Sequence, residues 1–269
     1  MPSEKTVLIL VHGWGADKMS WNPLRSFLDS RFETAAYDVR GSGENEGTLP
    51  EAEGWTLDGT VDQLVAEIEN HPGRPVVAIG FSMGGAIVLS LAHRGHPRLI
   101  GVVAIGSSPR GMRSQDWNFG LDRDASAAMF ERLRRDWIKS NEELAPLFFT
   151  DDDPAAARSA QVLLEASRRV RNPEIPIRIL EKCLHEIDDR SEMPRVGVPA
   201  LLIHGERDVV APPGVGEWMV SEIPVTRLAI IPGAGHLPHL TASRAVAVRR
   251  DGHAVLAGEG ERRDERARF

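Results

Sequence analysis

A single cysteine, Cys183, leaves this chain of 269 residues without an internal disulfide, and a reducing, cytoplasmic setting is the expectation that follows. No apolar run approaches the ~20 residues needed to cross a bilayer, so no membrane association is expected. The opening MPSEKTVLILVHGWG has an apolar centre too short, and too soon followed by glycines, for a signal peptide. Positive charge is in deficit, with 32 Lys and Arg against 39 Asp and Glu and a net charge of -7, which argues against a nucleic-acid or anionic-membrane surface. No pair of histidines has zinc-like spacing with a third ligand, so neither a metal nor a cofactor is expected. The glycines of Asp38-Val39-Arg40-Gly41-Ser42-Gly43 lack the G-K-[ST] ending of a phosphate loop and the three-glycine dinucleotide pattern, so this stretch reads as a tight turn steadied by Asp38 and Arg40.

What is present is an ordinary globular composition, 42% hydrophobic and 26% charged, with enough length for a full core. Thr6 to Val11 is apolar and β-branched without alternation, which predicts a strand covered on both faces, ending in His12-Gly13-Trp14-Gly15. Helix over Trp21 to Leu28, strand over Phe32 to Val39 and helix over Thr56 to Glu69 follow. The organising stretch is Pro75 to Leu91: a buried-type strand breaks into Gly80-Phe81-Ser82-Met83-Gly84-Gly85 and resumes as a helix. A serine in such a turn is held in a strained conformation with its hydroxyl exposed, and Gly80 and Gly84 remove side chains that would clash where strand crosses helix. Strand signals recur at Leu99 to Gly106, Pro199 to His204 and Val225 to Ile231, with a helix starting at Pro212-Pro213. Repeated strand–helix alternation predicts a doubly wound, mostly parallel α/β sheet.

Between Gly111 and Arg171 the alternation stops. Helical patterns over Ala127 to Ser140 and Asp153 to Arg171, around an apolar Leu144 to Phe149, predict a helical lid. The expected organisation is a core of residues 1–110 and 190–252, a lid of 111–189 and a charged, disordered tail of 253–269.

Asp208 follows one predicted strand and His236 the next, on the sheet edge that carries Ser82. A serine hydroxyl needs an imidazole to take its proton and a carboxylate to hold that imidazole, and Ser82, Asp208, His236 is the chain order of one fold class. Backbone N–H groups of Trp14 and Met83 are the candidate oxyanion hole. Competitors are Asp38, upstream and out of order, with Glu206 and Asp188 for the acid, and His12, His204 and His239 for the base. His12 is expected to order the oxyanion loop, and His12, Trp14, Phe81, Leu144 and Phe148 to border the substrate pocket. An aspartate nucleophile would need Asp in place of Ser82, and Cys183, on a helical segment without a glycine elbow, reads as a buried small hydrophobe.

With HGWG, GFSMGG, HGERD and GAGH in this order, the chain resembles the α/β-hydrolase superfamily over about residues 6 to 240. Within it, LVHGWG at 10–15, Ala104 to Pro109 followed by Asp116-Trp117, and Leu180 to Arg190 are similar to the pimeloyl-[acyl-carrier protein] methyl ester esterase family. The resemblance implies a three-layer fold with a lid, here with six strands instead of eight because the usual first antiparallel strands are missing. It also implies a carboxylesterase acting on a methyl ester of a pimeloyl chain carried on a phosphopantetheine arm. Basic lid residues would then meet an acidic acyl-carrier protein, and Arg134, Arg135, Arg168 and Arg169 are the candidates. Acidic residues interleave with them, so a solvated helix face is the competing reading. A broad small-ester or aryl-ester hydrolase, a carbon–carbon bond hydrolase or lyase-type relative with the same triad, and a noncatalytic binding protein on this fold are the alternatives. The last would ordinarily lack one triad member, whereas none is missing here. A monomer is the expectation.

Overall fold

The computed structural model describes residues 6–29, 32–49, 54–150, 152 and 154–246; the tail expected over 253–269 lies outside them. Six strands, β1 (Val7–Val11), β2 (Glu33–Tyr37), β3 (Val76–Phe81), β4 (Leu99–Ile105), β5 (Ala200–Gly205) and β6 (Thr226–Ile231), form one sheet in the order β2-β1-β3-β4-β5-β6. All five pairings are parallel, and six strands is the number read from the sequence. Every residue of β1 and β3 is buried, whereas the edge strands β2 and β6 are only partly so. Unbroken apolar runs belong to the middle of such a sheet because helices cover both of its faces.

The period-two geometry of a strand divides each run between two cores. Val7, Ile9, Val11, Val76, Ala78, Val102, Ala104 and Leu202 pack with α2 (Leu57–Glu69), α3 (Met83–Arg94) and α8 (Pro213–Glu222). Leu8, Leu10, Val77, Ile79, Phe81, Val103, Ile105 and Ile203 face α1 (Asn22–Leu28), α9 (Pro238–Thr241) and α10 (Ser243–Val246). Each fully buried Val, Leu, Ile or Phe side chain among these contributes about 1.5–3 kcal/mol by leaving water.

Register carries the strand ends to one edge: Val11 lies opposite both Tyr37 and Gly80, Phe81 opposite Ile105, Ile105 opposite Ile203, and Gly205 opposite Ile231. The chain reverses its direction of winding between β1 and β3, where open α/β sheets leave a crevice beyond their carboxyl ends.

The lid enters between β4 and β5 as α4 (Arg123–Arg135), α5 (Trp137–Leu144), a 3₁₀ turn at Ala145–Phe148, α6 (Ala156–Arg169) and α7 (Glu174–Glu186). The helix expected over 127–140 is two helices. Asp136 leaves helical geometry at φ −155° and accepts the Lys139 N–H at 3.0 Å, so it ends α4 and caps α5. Phe130, Leu133, Trp137 and Ile177 form the lid's own core, and Ile175 and Ile179 pack with Leu49 and Trp55 of the sheet domain.

Candidate active site

The turn after β3 has the geometry its glycines foretold. Ser82 stands at φ 51°, ψ −119°, and it is the one non-glycine residue with positive φ among the described residues. Such a conformation costs about 1–3 kcal/mol and persists only where the surroundings enforce it. Here they do: a Cβ at Gly80 would lie inside the carbonyl of Gly84, and one at Gly84 inside the carbonyl of Val11. The Ser82 N–H donates to Ile105 O at 2.8 Å, which ties the elbow to the end of β4.

Asp208 and His236 meet at the same edge. Nδ1 of His236 lies 2.9 Å from Oδ2 of Asp208, and the other carboxylate oxygen accepts the N–H groups of Val210 and Ala211 at 2.8 and 2.9 Å. A carboxylate accepting from all three is fixed in orientation, and because it can only accept, Nδ1 carries the proton and Nε2 is left as the acceptor. Both side chains are at least 96% buried. The imidazole lies over Gly106, the residue after the one that holds Ser82: a Cβ on Gly106 would come within 3.1 Å of His236 Nδ1. The link between Asp208 and His236 is formed, and Ser82, half-buried, stands at the turn beside it.

A family model for the alpha/beta hydrolase family matches residues 8–249. The chain belongs to the alpha/beta hydrolase family. The pimeloyl-[acyl-carrier protein] methyl ester esterase of Nitrosomonas europaea is 29% identical over 235 residues, 87% of this chain and 90% of that protein. The enzyme of the same name from Nitrosospira multiformis is 29% identical over 238 residues, 87% of this chain and 89% of its own. The structure of a hydrolase from Oleispira antarctica, olei00960, superposes with a TM-score of 0.78 at 25% identity, covering 90% of this chain and 88% of that one. As a member of the family this protein is an enzyme, a hydrolase of the carboxylic ester class.

The alpha/beta hydrolase architecture also places the remaining candidates. Neither the Trp14 nor the Met83 backbone N–H has an acceptor among the described residues, so both are free to donate at the turn ends where they stand. Trp14 joins the loop after β1 to the lid: its Nε1–H donates to Pro176 O at 2.6 Å and its ring meets Trp137 edge-on at 5.7 Å. His12 is fully buried and lines neither of the two cavities described below. Its Nδ1–H donates to Gly13 O at 2.8 Å and its Nε2 accepts the Val39 N–H at 3.0 Å, and burial pushes its pKa down, so it is a neutral brace for the loop. Phe81 is likewise core and not pocket wall, because an odd position on β3 turns it toward Trp21 and His239, at ring distances of 5.4 and 4.1 Å. Leu144 packs in the lid core, and the Phe148 ring lies 5.7 Å from that of His236.

The competing acids have other work. Asp38 accepts the Lys18 and Glu44 N–H groups at 2.8 and 3.0 Å, Glu206 accepts the Gly233 N–H at 2.8 Å, and Asp188 binds Arg190 and Arg110, which hold its carboxyl at about 2. His204 donates from Nδ1 to Ala211 O at 2.8 Å, and burial lowers its pKa. His239 has no partner for either ring nitrogen among the described residues, and burial, then His236, push its pKa down to about 3. Burial also pushes the Cys183 thiol up, which keeps it protonated and unreactive.

The four lid arginines singled out from the sequence are all engaged inside the chain. Arg134 pairs with Glu174 and Glu181, Arg135 with Glu131, Arg168 with Glu142 and Arg169 with Asp17. Exposed Arg132, Lys139 and Arg158 have no carboxylate partner among the described residues. Sequence reasoning missed the seam beneath them. Buried Glu46 accepts the Arg171 and Asn172 N–H groups at 2.9 and 2.8 Å and the Arg171 Nε–H at 3.1 Å, fastening the α6–α7 turn to the sheet domain. Burial alone would raise its pKa, and these bonds override it and hold the carboxyl low. A cavity of about 430 Å³ lies along this seam, bordered by Gly15, Lys18, Ser42, Arg169 and Pro176, and one of about 420 Å³ lies between α4 and α7. Neither borders Ser82.

Proposed function

We propose that this protein is a serine carboxylesterase working through an acyl-enzyme. Its proposed substrate is a pimeloyl-[acyl-carrier protein] methyl ester, cleaved to the free acid and methanol. The observation that carries the reading is the Asp208–His236 bond of 2.9 Å beside a serine forced into positive φ. In this reading Ser82 Oγ attacks the ester carbonyl as Nε2 of His236 takes its proton, and the Trp14 and Met83 N–H groups receive the oxyanion. The imidazolium, steadied by Asp208, returns the proton to the departing alcohol, and water repeats the sequence to free the acid. No metal or cofactor has a step in this scheme.

The acyl group comes from kinship with the two esterases above and from a lid that carries cations toward solvent. Arg132, Lys139 and Arg158 are among the lid cations with no carboxylate partner among the described residues and are the ones proposed to meet an acidic carrier. A cytoplasmic location accords with this role; among the described residues no helix is long and apolar enough to cross a membrane. Internal pairing of Arg134, Arg135, Arg168 and Arg169 favours the second reading, a broad small-ester hydrolase.

A serine-directed phosphonate should label the wild type and not Ser82→Ala; an unlabelled wild type rejects the serine mechanism. Methanol release from methyl pimeloyl carrier protein, compared with a short free ester, separates the two substrates. Growth of a biotin-requiring strain lacking its esterase, restored by this protein, would settle the choice in favour of the first.

A further inference from the structure

We propose that the lid positions the proton-accepting imidazole of this site through the backbone of Phe148, so that seating the lid and aligning His236 are one event. The inference rests on the assignment of Ser82, Asp208 and His236 above. Phe148 is the last residue of the 3₁₀ turn that continues α5 without interruption. Its carbonyl accepts the backbone N–H of His236 at 2.9 Å, and its ring lies against the imidazole at 5.7 Å with a tilt of 38°.

The contact is built from both sides. A Cβ on Gly235 would come within 2.6 Å of the Phe148 carbonyl oxygen and 3.0 Å of Phe149 Cα, so the absent side chain is what lets the lid backbone reach the histidine. Gly235 is not in the left-handed region, so close approach and not backbone conformation is its reason for being glycine. The next residues extend the seam: Thr150 Oγ–H donates to Gly233 O at 3.0 Å, and Arg207 reaches Asp152 at 2.7 and 2.9 Å. Asp208 fixes the imidazole from the sheet side and Phe148 fixes its backbone from the lid side. Phe148, Thr150 and Gly235 are therefore positioning residues, acting through His236.

The decisive variant is Gly235→Ala, whose backbone conformation alanine can adopt while its methyl displaces the Phe148 carbonyl. Misplacing a reacting group by ~1 Å lowers turnover by ~10²-fold, and that loss is expected in kcat for a short activated ester, with KM changed less than about twofold. Thr150→Val should lower kcat by ~3-fold, and Thr150→Ser, which keeps the donor, should restore it. Wild-type kcat in folded Gly235→Ala overturns the proposal; should that variant not fold, wild-type kcat in Thr150→Val does so, and loss without rescue by Thr150→Ser does so as well. Phosphonate labelling keeps the two levels apart. A labelled wild type with unaltered variants sinks the positioning role alone, whereas turnover retained by Ser82→Ala sinks the triad beneath it.

Discussion

Where β1, β3 and α3 cross, backbone lies against backbone. Gly84 touches the Val11 carbonyl and Gly80 the Gly84 carbonyl, and nothing there can give by the width of a methyl group. On the lid, Arg134 and Arg178 share Glu174 and Glu181 across a half-exposed surface, and each such pair is worth about 0–1 kcal/mol. The first region holds Ser82 and the glycines around it with no room to shift. The second can exchange charges at little cost in stability. Between them runs a seam with the character of neither, where buried Asp17 and Glu46 grip Arg169 and Arg171.

Removing the hydroxyl proposed to react, without disturbing the rigid region, gives the largest effect. Ser82→Ala is expected to lose ~10⁴-fold or more in kcat with an unchanged fold, measured by ester turnover and thermal melting. Breaking the rigidity itself comes next: Gly84→Ala drives a methyl into the Val11 carbonyl and should cost about 4 kcal/mol or more in urea unfolding, or prevent folding. At the seam, Glu46→Ala orphans two backbone donors and should cost about 2 kcal/mol, raising KM more than it lowers kcat as the α6–α7 turn loosens. On the lid surface Arg135→Gln should change stability by less than about 0.5 kcal/mol and leave hydrolysis of a short ester unchanged. A loss there as large as at the seam would dissolve the contrast between the two regions.

The rigid region was also the readable one. Strands β1 and β3 are unbroken apolar runs because both of their faces are covered, and Ser82 announced itself because only glycines tolerate the crossing around it. Asp208 and His236 followed from their place after strands in a parallel sheet. The orientations of His12 and Phe81 were not legible, since being next to a strand end does not say which face a side chain takes, and the register sends Phe81 inward. Asp136 escaped notice because a capping aspartate between two amphipathic stretches keeps the helical period on both sides. Glu46 with Arg171, and Phe148 with His236, are pairs far apart in sequence, and the second is made by a backbone carbonyl that any residue would supply.

The ring of His239, clustered with those of Trp21 and Phe81 and with no partner for either nitrogen among the described residues, makes the folded state a poor proton acceptor. Its pKa is about 3 when folded against an ordinary 6.5, so the unfolded chain binds a proton there that the folded chain refuses. Below pH ~6.5 this withdraws up to about 1.4 kcal/mol of stability per pH unit, until the folded pKa is reached. Unfolding at pH ~5 should therefore take up close to one proton at this position, an uptake that His239→Phe abolishes while flattening the acid limb of the stability curve. Acid would thus act on this enzyme from beside Phe81, the residue before Ser82, through a ring that takes no part in the proposed chemistry.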